Sequence, residues 1–293
     1  ENTNAAVNLG SYAFIAGNAY DFLIQLTSVN GGAMQLSALN DTIRLDSVRT
    51  AMAGTYTIGG EAPDFPTFSE AILALYDLGV ADAVTFLVRD SVYHERLEFY
   101  GPINGAGTTK PIIFRSASMD AGAVEVLYEN GSVFYGEGVG FLQFEYLSFR
   151  TSYEYNYVVE ARACDHFEWR HCRFTAAAAS TNANVYFSDL TAGPVVEDCV
   201  FRYGYSGFYS YTNGTASGSV LQRNTFQEVW QGIDLSGNQV SAVVNENSIY
   251  SSGGNAAINI QNSRGSAQIT KNTIFHQTNE NQGAGIFYGY GDD

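Results

Sequence analysis

Lysine is nearly absent from this chain: Lys110 and Lys271 are the only two in 293 residues, and 14 basic residues face 30 acidic ones for a formal charge of −16. So acidic a surface repels nucleic acid and anionic lipid, and neither is expected as a partner. No apolar run approaches the roughly 18 residues that a membrane-crossing helix requires, so no membrane span is expected. No basic-then-apolar leader precedes Glu1, and secretion cannot be read from one. Cysteine is limited to Cys164, Cys172 and Cys199. Without Cys-x-x-Cys or His-x-x-x-His spacing around them, no metal cofactor is expected. The acidity is compatible with Ca²⁺, yet no ligand loop of recognised spacing indicates it. What the chain has instead is 20 Tyr, 19 Phe and 30 Gly with few charges, a composition that favours an extracellular or cell-surface setting.

The chain also has a period. Phe149, Phe174, Phe201, Phe226, Ile249 and Ile274 end six similar segments at steps of 25, 27, 25, 23 and 25 residues. A second ladder runs through Val133, Val158, Val185, Phe208, Ile233, Ile258 and Ile286 at much the same steps. Short apolar strands and Gly/Asn turns, repeated with no helix inside the repeat, predict an all-β chain folded as a parallel β-helix solenoid of about eight or nine coils.

Residues 1–52 lack the period. They alternate apolar and polar in Tyr20–Leu26 and Ile43–Leu45 about a Gly31-Gly32 turn, and read as a β-rich segment, the end of a preceding module. Residues 53–293 form the solenoid, with 53–83 as its cap and opening. Within that cap, Thr67-Phe68-Ser69-Glu70 has capping-box spacing, and Phe68, Ala71, Ile72, Leu75 and Leu78 fall on one helical face before Gly79. Such a helix is placed to cover the exposed end of the first coil.

Three motifs in order, Gly54-Thr55-Tyr56-Thr57-Ile58-Gly59-Gly60, the helix start Phe65–Ala71, and Ala83–Phe86 running to Tyr93-His94-Glu95, carry a resemblance. The chain resembles the opening of right-handed parallel β-helix domains in large secreted and cell-surface proteins of Bacteroidota, over roughly residues 53–293. The resemblance implies the right hand, which the usual hand of parallel crossovers also favours. It implies export as well, usually by the type IX pathway with a C-terminal sorting domain that is not visible here. That family shares no catalytic residues to carry over. A first residue that is Glu, and a last strand followed by no obvious cap, read as a piece of a longer processed protein.

Candidate residues follow from the columns that stacked coils create. Two positions before the first ladder stand Leu147, Cys172, Cys199, Asn224, Asn247 and Asn272. The asparagines predict a structural ladder of side-chain amides. Cys172 and Cys199 are within disulfide reach, but stacked thiols point in parallel and are expected to stay reduced. One position earlier, Tyr146, His171, Asp198, Arg223, Glu246 and Lys271 include four charges of alternating sign, as do Glu145, Arg170 and Glu197 beside them. Both columns read as ion-pair ladders rather than as the basic residue of a polysaccharide lyase. The outward column of the second ladder is read as Val159, Tyr186, Tyr209, Asp234, Asn259 and Phe287, in which Asp234 is the one acid and the carboxylate pair of a glycosidase is missing.

Tyrosines gather near that column. Tyr203, Tyr205, Tyr209, Tyr211, Trp230 and Tyr288 are the candidate binding or interface residues, with Tyr153, Tyr155, Tyr157, Tyr250 and Tyr290 close in the pattern. Aromatic strips stack on sugar rings or bury against protein. The expected function is a non-catalytic rigid extracellular module, in adhesion or as a self-associating subunit of a surface fibre, with cell-surface glycans or proteins as partners. The alternative is a carbohydrate-binding or polysaccharide-degrading β-helix. Asn40, Asn130 and Asn213 fit the N-glycosylation pattern, a weak signal.

Overall fold

A computed structural model of the chain describes residues 11–15, 17–25, 28–29, 32–33, 42–190, 192–254, 256–261, 267–277 and 283–289. The fold is an all-β parallel β-helix solenoid with one α-helix among the described residues. Three parallel sheets run its length, and each strand pairs with its equivalents one coil before and one coil after. The first sheet has nine strands, from Met52–Ile58 to Gln268–Thr270. The second has eight, from Ser91–Tyr93 to Thr273–His276. The third also has eight, from Leu97–Tyr100 to Ala284–Gly289.

The interior is a stack of like side chains, because parallel in-register pairing sets equivalent residues of successive coils one strand spacing apart. On the first sheet Phe86, Phe114, Phe144 and Trp169 lie face to face, with successive ring centroids 4.8, 5.3 and 4.3 Å apart. On the second, Phe149, Phe174, Phe201 and Phe226 do the same at 5.7, 5.0 and 4.6 Å. All eight are fully buried. Later coils replace the rings by Val196, Leu221 and Val244 on the first sheet and by Ile249 on the second.

The helix Phe68–Leu78 stands in the first coil where strands of the second and third sheets would otherwise lie. It buries Phe68, Ala71, Ile72 and Leu75, with Phe68 reaching Tyr93 and Phe114 at 5.1 and 5.9 Å. Its N-terminus is satisfied twice. Thr67 Oγ1 accepts from the Glu70 N–H at 3.2 Å, and Glu95, one coil later, accepts from the N–H groups of Phe68 and Ser69 at 3.2 and 3.0 Å. Gly79 ends the helix at φ 67°, donating to the Leu75 carbonyl. Before the solenoid, Ala19–Gln25 and Thr42–Arg49 pair antiparallel, and Tyr12, Phe14, Tyr20 and Phe22 pack edge to face on that ribbon. No helix is long and apolar enough to cross a membrane among the described residues.

Candidate functional site

The turn from the first sheet to the second is built the same way in six successive coils. Tyr146, His171, Asp198, Arg223, Glu246 and Lys271 each adopt a left-handed conformation, φ 52–56°. The next residue, from Leu147 to Asn272, then points inward. Asn224 shows what that position does. Its Oδ1 accepts the Cys199 N–H and its Nδ2 donates to the Val196 carbonyl, both at 2.9 Å, so one amide satisfies two backbone groups of the preceding coil. Asn247 serves Asn224 and Leu221 likewise, and Asn272 serves Asn247 and Val244. Cys199 performs the same office with sulfur, accepting from Cys172 N–H at 3.3 Å and donating to the Trp169 carbonyl at 3.4 Å. All three cysteines are buried free thiols. Burial pushes Cys199 well above the usual thiol range and Cys164 up to about 11.

The exposed charges of this turn are mutually engaged. Arg223 binds Asp198 through two contacts of 2.9 Å, Lys271 reaches Glu246 at 3.0 Å, and the rings of Tyr146 and His171 stack at 4.5 Å. On the neighbouring column Glu145 pairs with Arg115, while Glu197 takes Arg170 and Gln222.

The outer face of the third sheet differs. Its register aligns Glu98, Tyr135, Glu160, Tyr186, Tyr209, Asp234, Asn259 and Phe287 in one outward column. This corrects the column derived from spacing: Val159 faces the core, paired with Phe134 and Val185, and Glu160 takes its outward place. The slip arises because Val158 and Val159 are both fully buried and both N–H groups bond to the Asn184 carbonyl, so apolarity does not distinguish them. The column therefore holds three carboxylates rather than one. Glu160 and Asp234 lie three coils apart, roughly 14 Å, beyond the roughly 5–9.5 Å that separates the two carboxylates of a glycosidase.

Between those acids the tyrosines form a ladder of their own. Tyr157 stacks on Tyr186 at 4.6 Å, and Tyr186 leans on Tyr209 at 5.3 Å. Glu160 binds Arg162 and accepts from Ser132 at 3.2 Å. Asp234 accepts from Ser236 at 3.0 Å and Asn259 at 3.1 Å. Burial raises the Asp234 carboxyl above the ordinary range, outweighing those two donors. Tyr209 is pushed up to about 12, by burial first and then by Asp234. At the helix end the strip continues into a groove of about 400 Å³ lined by Leu73, Tyr76, Arg96, Glu98 and Tyr100.

The sequence-derived aromatics divide among several surroundings. Tyr209 belongs to the column just described. Tyr211 lies one column over, between Ser188 and Ser236. Tyr205 and Trp230, 48% and 47% exposed, stack at 6.4 Å on the corner leading into the third sheet, where the indole lies against Gly253. Tyr203 packs on the core edge under the Arg202 guanidinium, 4.8 Å from its ring. Tyr288 is not on the outer face. It aligns with buried Leu235 and Ile260 in an inward column, and is 44% exposed because no later described strand covers it. Tyr290 and Asn40 lie outside the described residues, as does the side chain of Asn213, whereas Asn130 is exposed. Among the described residues no group of three or more His, Cys, Asp or Glu is arranged to hold a metal ion.

Sheet topology and side-chain columns define a protein of the parallel β-helix class. No protein-family profile matches the chain, and no curated protein matches it significantly. Among solved structures it is similar to pectin methylesterase from Aspergillus niger in deglycosylated form, at 12% identity over 83% of this chain and 92% of that one, with a TM-score of 0.45. Pectin methylesterase from carrot is similar at 12% identity over 82% and 90%, with a TM-score of 0.43. At that identity the likeness concerns the fold alone.

Proposed function

We propose that the chain is a rigid, non-catalytic extracellular module that works in adhesion by holding an extended glycan along the outer face of its third sheet. The observation that carries this reading is the outward column from Glu98 to Asn259, in which three phenols stand among three carboxylates and an amide over seven coils. Phenol, carboxylate and amide groups set in one line suit a ligand rich in hydroxyls. The hydroxyls of Tyr157, Tyr186 and Tyr209 donate to no described residue and are available to such a ligand, while their rings stack on one another and hold them in line. The ion pairs of the first sheet offer no comparable opening, since each is closed by its own partner. Export and surface display are part of this proposal and agree with the resemblance of the opening motifs.

Affinity electrophoresis and calorimetry against a panel of soluble polysaccharides test it. Tyr186→Ala is expected to weaken binding by about tenfold, in keeping with the ~1–2 kcal/mol of a lost aromatic contact, with secondary structure unchanged. Absence of binding to every glycan, or full binding by that variant, overturns the proposal. Release of new reducing ends or unsaturated products, lost in Asp234→Asn, would make the chain an enzyme instead. A second reading, self-association, is favoured by the exposed Tyr205 and Trp230 pair. Light scattering of wild type and of the Tyr205→Ser, Trp230→Ser double variant decides it: a common monomeric mass sinks that reading.

A further inference from the structure

We infer that the Asp234 end of the strip is a subsite for a positively charged nitrogen, so that the glycan held there carries free amino groups. The inference rests on the glycan-binding reading and names its ligand class. Among the described residues Asp234 is the acid of the column with no cationic partner: Glu98 has Arg96 and Glu160 has Arg162, whereas Asp234 has the neutral donors Ser236 and Asn259. Both of those donors converge on Oδ1. Oδ2 accepts no hydrogen bond from the described residues and is not among the buried atoms left without a partner. Asn259 is itself held in place, its Oδ1 accepting from Gln261 at 3.1 Å, so it cannot turn to serve the second oxygen without breaking that bond.

A half-buried carboxylate with one open oxygen favours a partner that brings charge as well as a proton. A sugar hydroxyl supplies only the hydrogen bond, and an ammonium supplies both. The neighbouring tyrosine fits the same ligand. Tyr209 leans on Tyr186 and sits one coil before Asp234 in the column, close enough for the carboxylate to act on its hydroxyl. A carboxylate and an aromatic ring side by side suit a cation. The field of a molecule with a charge of −16 attracts such a ligand and repels uronate or sulfate polymers.

The test compares soluble glucosamine oligomers with free amines against N-acetylated oligomers of equal length, by calorimetry on the full chain from mildly acidic to neutral pH, because the raised Asp234 carboxyl and the amine must both be charged. The free-amine oligomer is expected to bind about tenfold tighter, the gain of one partly desolvated cation contact, and the preference is expected to shrink as salt is raised. Asp234→Asn, which keeps shape and removes charge, should bring the two ligands to within about twofold. Tyr186→Ala should weaken both alike. Equal affinity of wild type for the two oligomers, or a preference that survives Asp234→Asn, overturns the amine subsite. Binding confined to neutral or acidic glycans overturns it as well while leaving the glycan-binding reading intact, and no binding to any glycan overturns both.

Discussion

A single inward asparagine does the work of two backbone partners, and its removal has a definite cost. Asn247→Ala leaves the Asn224 N–H and the Leu221 carbonyl unpaired in a buried turn, each worth about 1–3 kcal/mol. A loss of about 2–4 kcal/mol in urea denaturation is expected, with ligand binding unchanged. Cys199→Asn should act in the opposite sense, because an amide would replace the long sulfur contacts to Cys172 and Trp169. A rise in melting temperature checks it. The thiols themselves should resist a thiol-labelling reagent at pH 8 in the folded chain and react on denaturation, since burial keeps Cys164 and Cys199 protonated. Asp234 behaves unlike a structural acid. Its folded carboxyl binds its proton more tightly than the unfolded one, so its contribution to stability is fully present at low pH and is lost as pH rises through the raised value. Asp234→Asn is therefore expected to raise the melting temperature at neutral pH and to flatten its pH dependence above the ordinary carboxylate range. A residue whose charge weakens the fold fits a binding role better than a structural one.

Among the elements, the helix depends on a residue far along the chain. Glu95 accepts two N–H bonds at its N-terminus and takes the Ser69 hydroxyl at 2.8 Å. Glu95→Ala should cost about 1–2 kcal/mol and loosen the first coil, which hydrogen exchange of Phe68–Leu78 would report. The helix itself was legible from Thr67, Gly79 and the apolar face between them. The role of Glu95 was not, because no local spacing joins it to Phe68. The same contrast holds along the strands. Those of the first and second sheets are joined by a turn of constant length, so Phe149 to Ile274 could be aligned by counting. The connections into the third sheet vary, and there the count lost one residue at Val158 and Val159. That slip hid Glu160, and with it the character of the outward column. Tyr288 was misplaced for a related reason: residues 286–288 are all apolar or aromatic, and only pairing with Ile258–Ile260 fixes which of them faces out.

For the whole molecule, stability is distributed coil by coil, since each coil touches chiefly its neighbours. Stacked aromatics fill the coils from Phe86 to Phe226, whereas the last coils rely on smaller aliphatic side chains, and Ile269 and Ile274 are only partly buried. Hydrogen exchange should accordingly slow from Gln268–Thr270 towards Leu142–Glu145 in a graded manner. A single uniform rate across all nine strands of the first sheet would contradict it. The charge ladders add little by themselves, exposed pairs being worth about 0–1 kcal/mol each, but they oppose slippage, because shifting the coil of Glu246 or Lys271 by a residue sets a neutral side chain opposite the charge it now pairs with. That fixed stacking makes the third sheet a ruler, graduated at every coil by roughly 4.8 Å. A flexible ligand can stretch to such graduations, but a stiff one with a different repeat must drift against them like the two scales of a vernier. Gain in affinity with ligand length would then cease at the length where the scales fall out of step, and duplicating one coil would move that length without altering any contact.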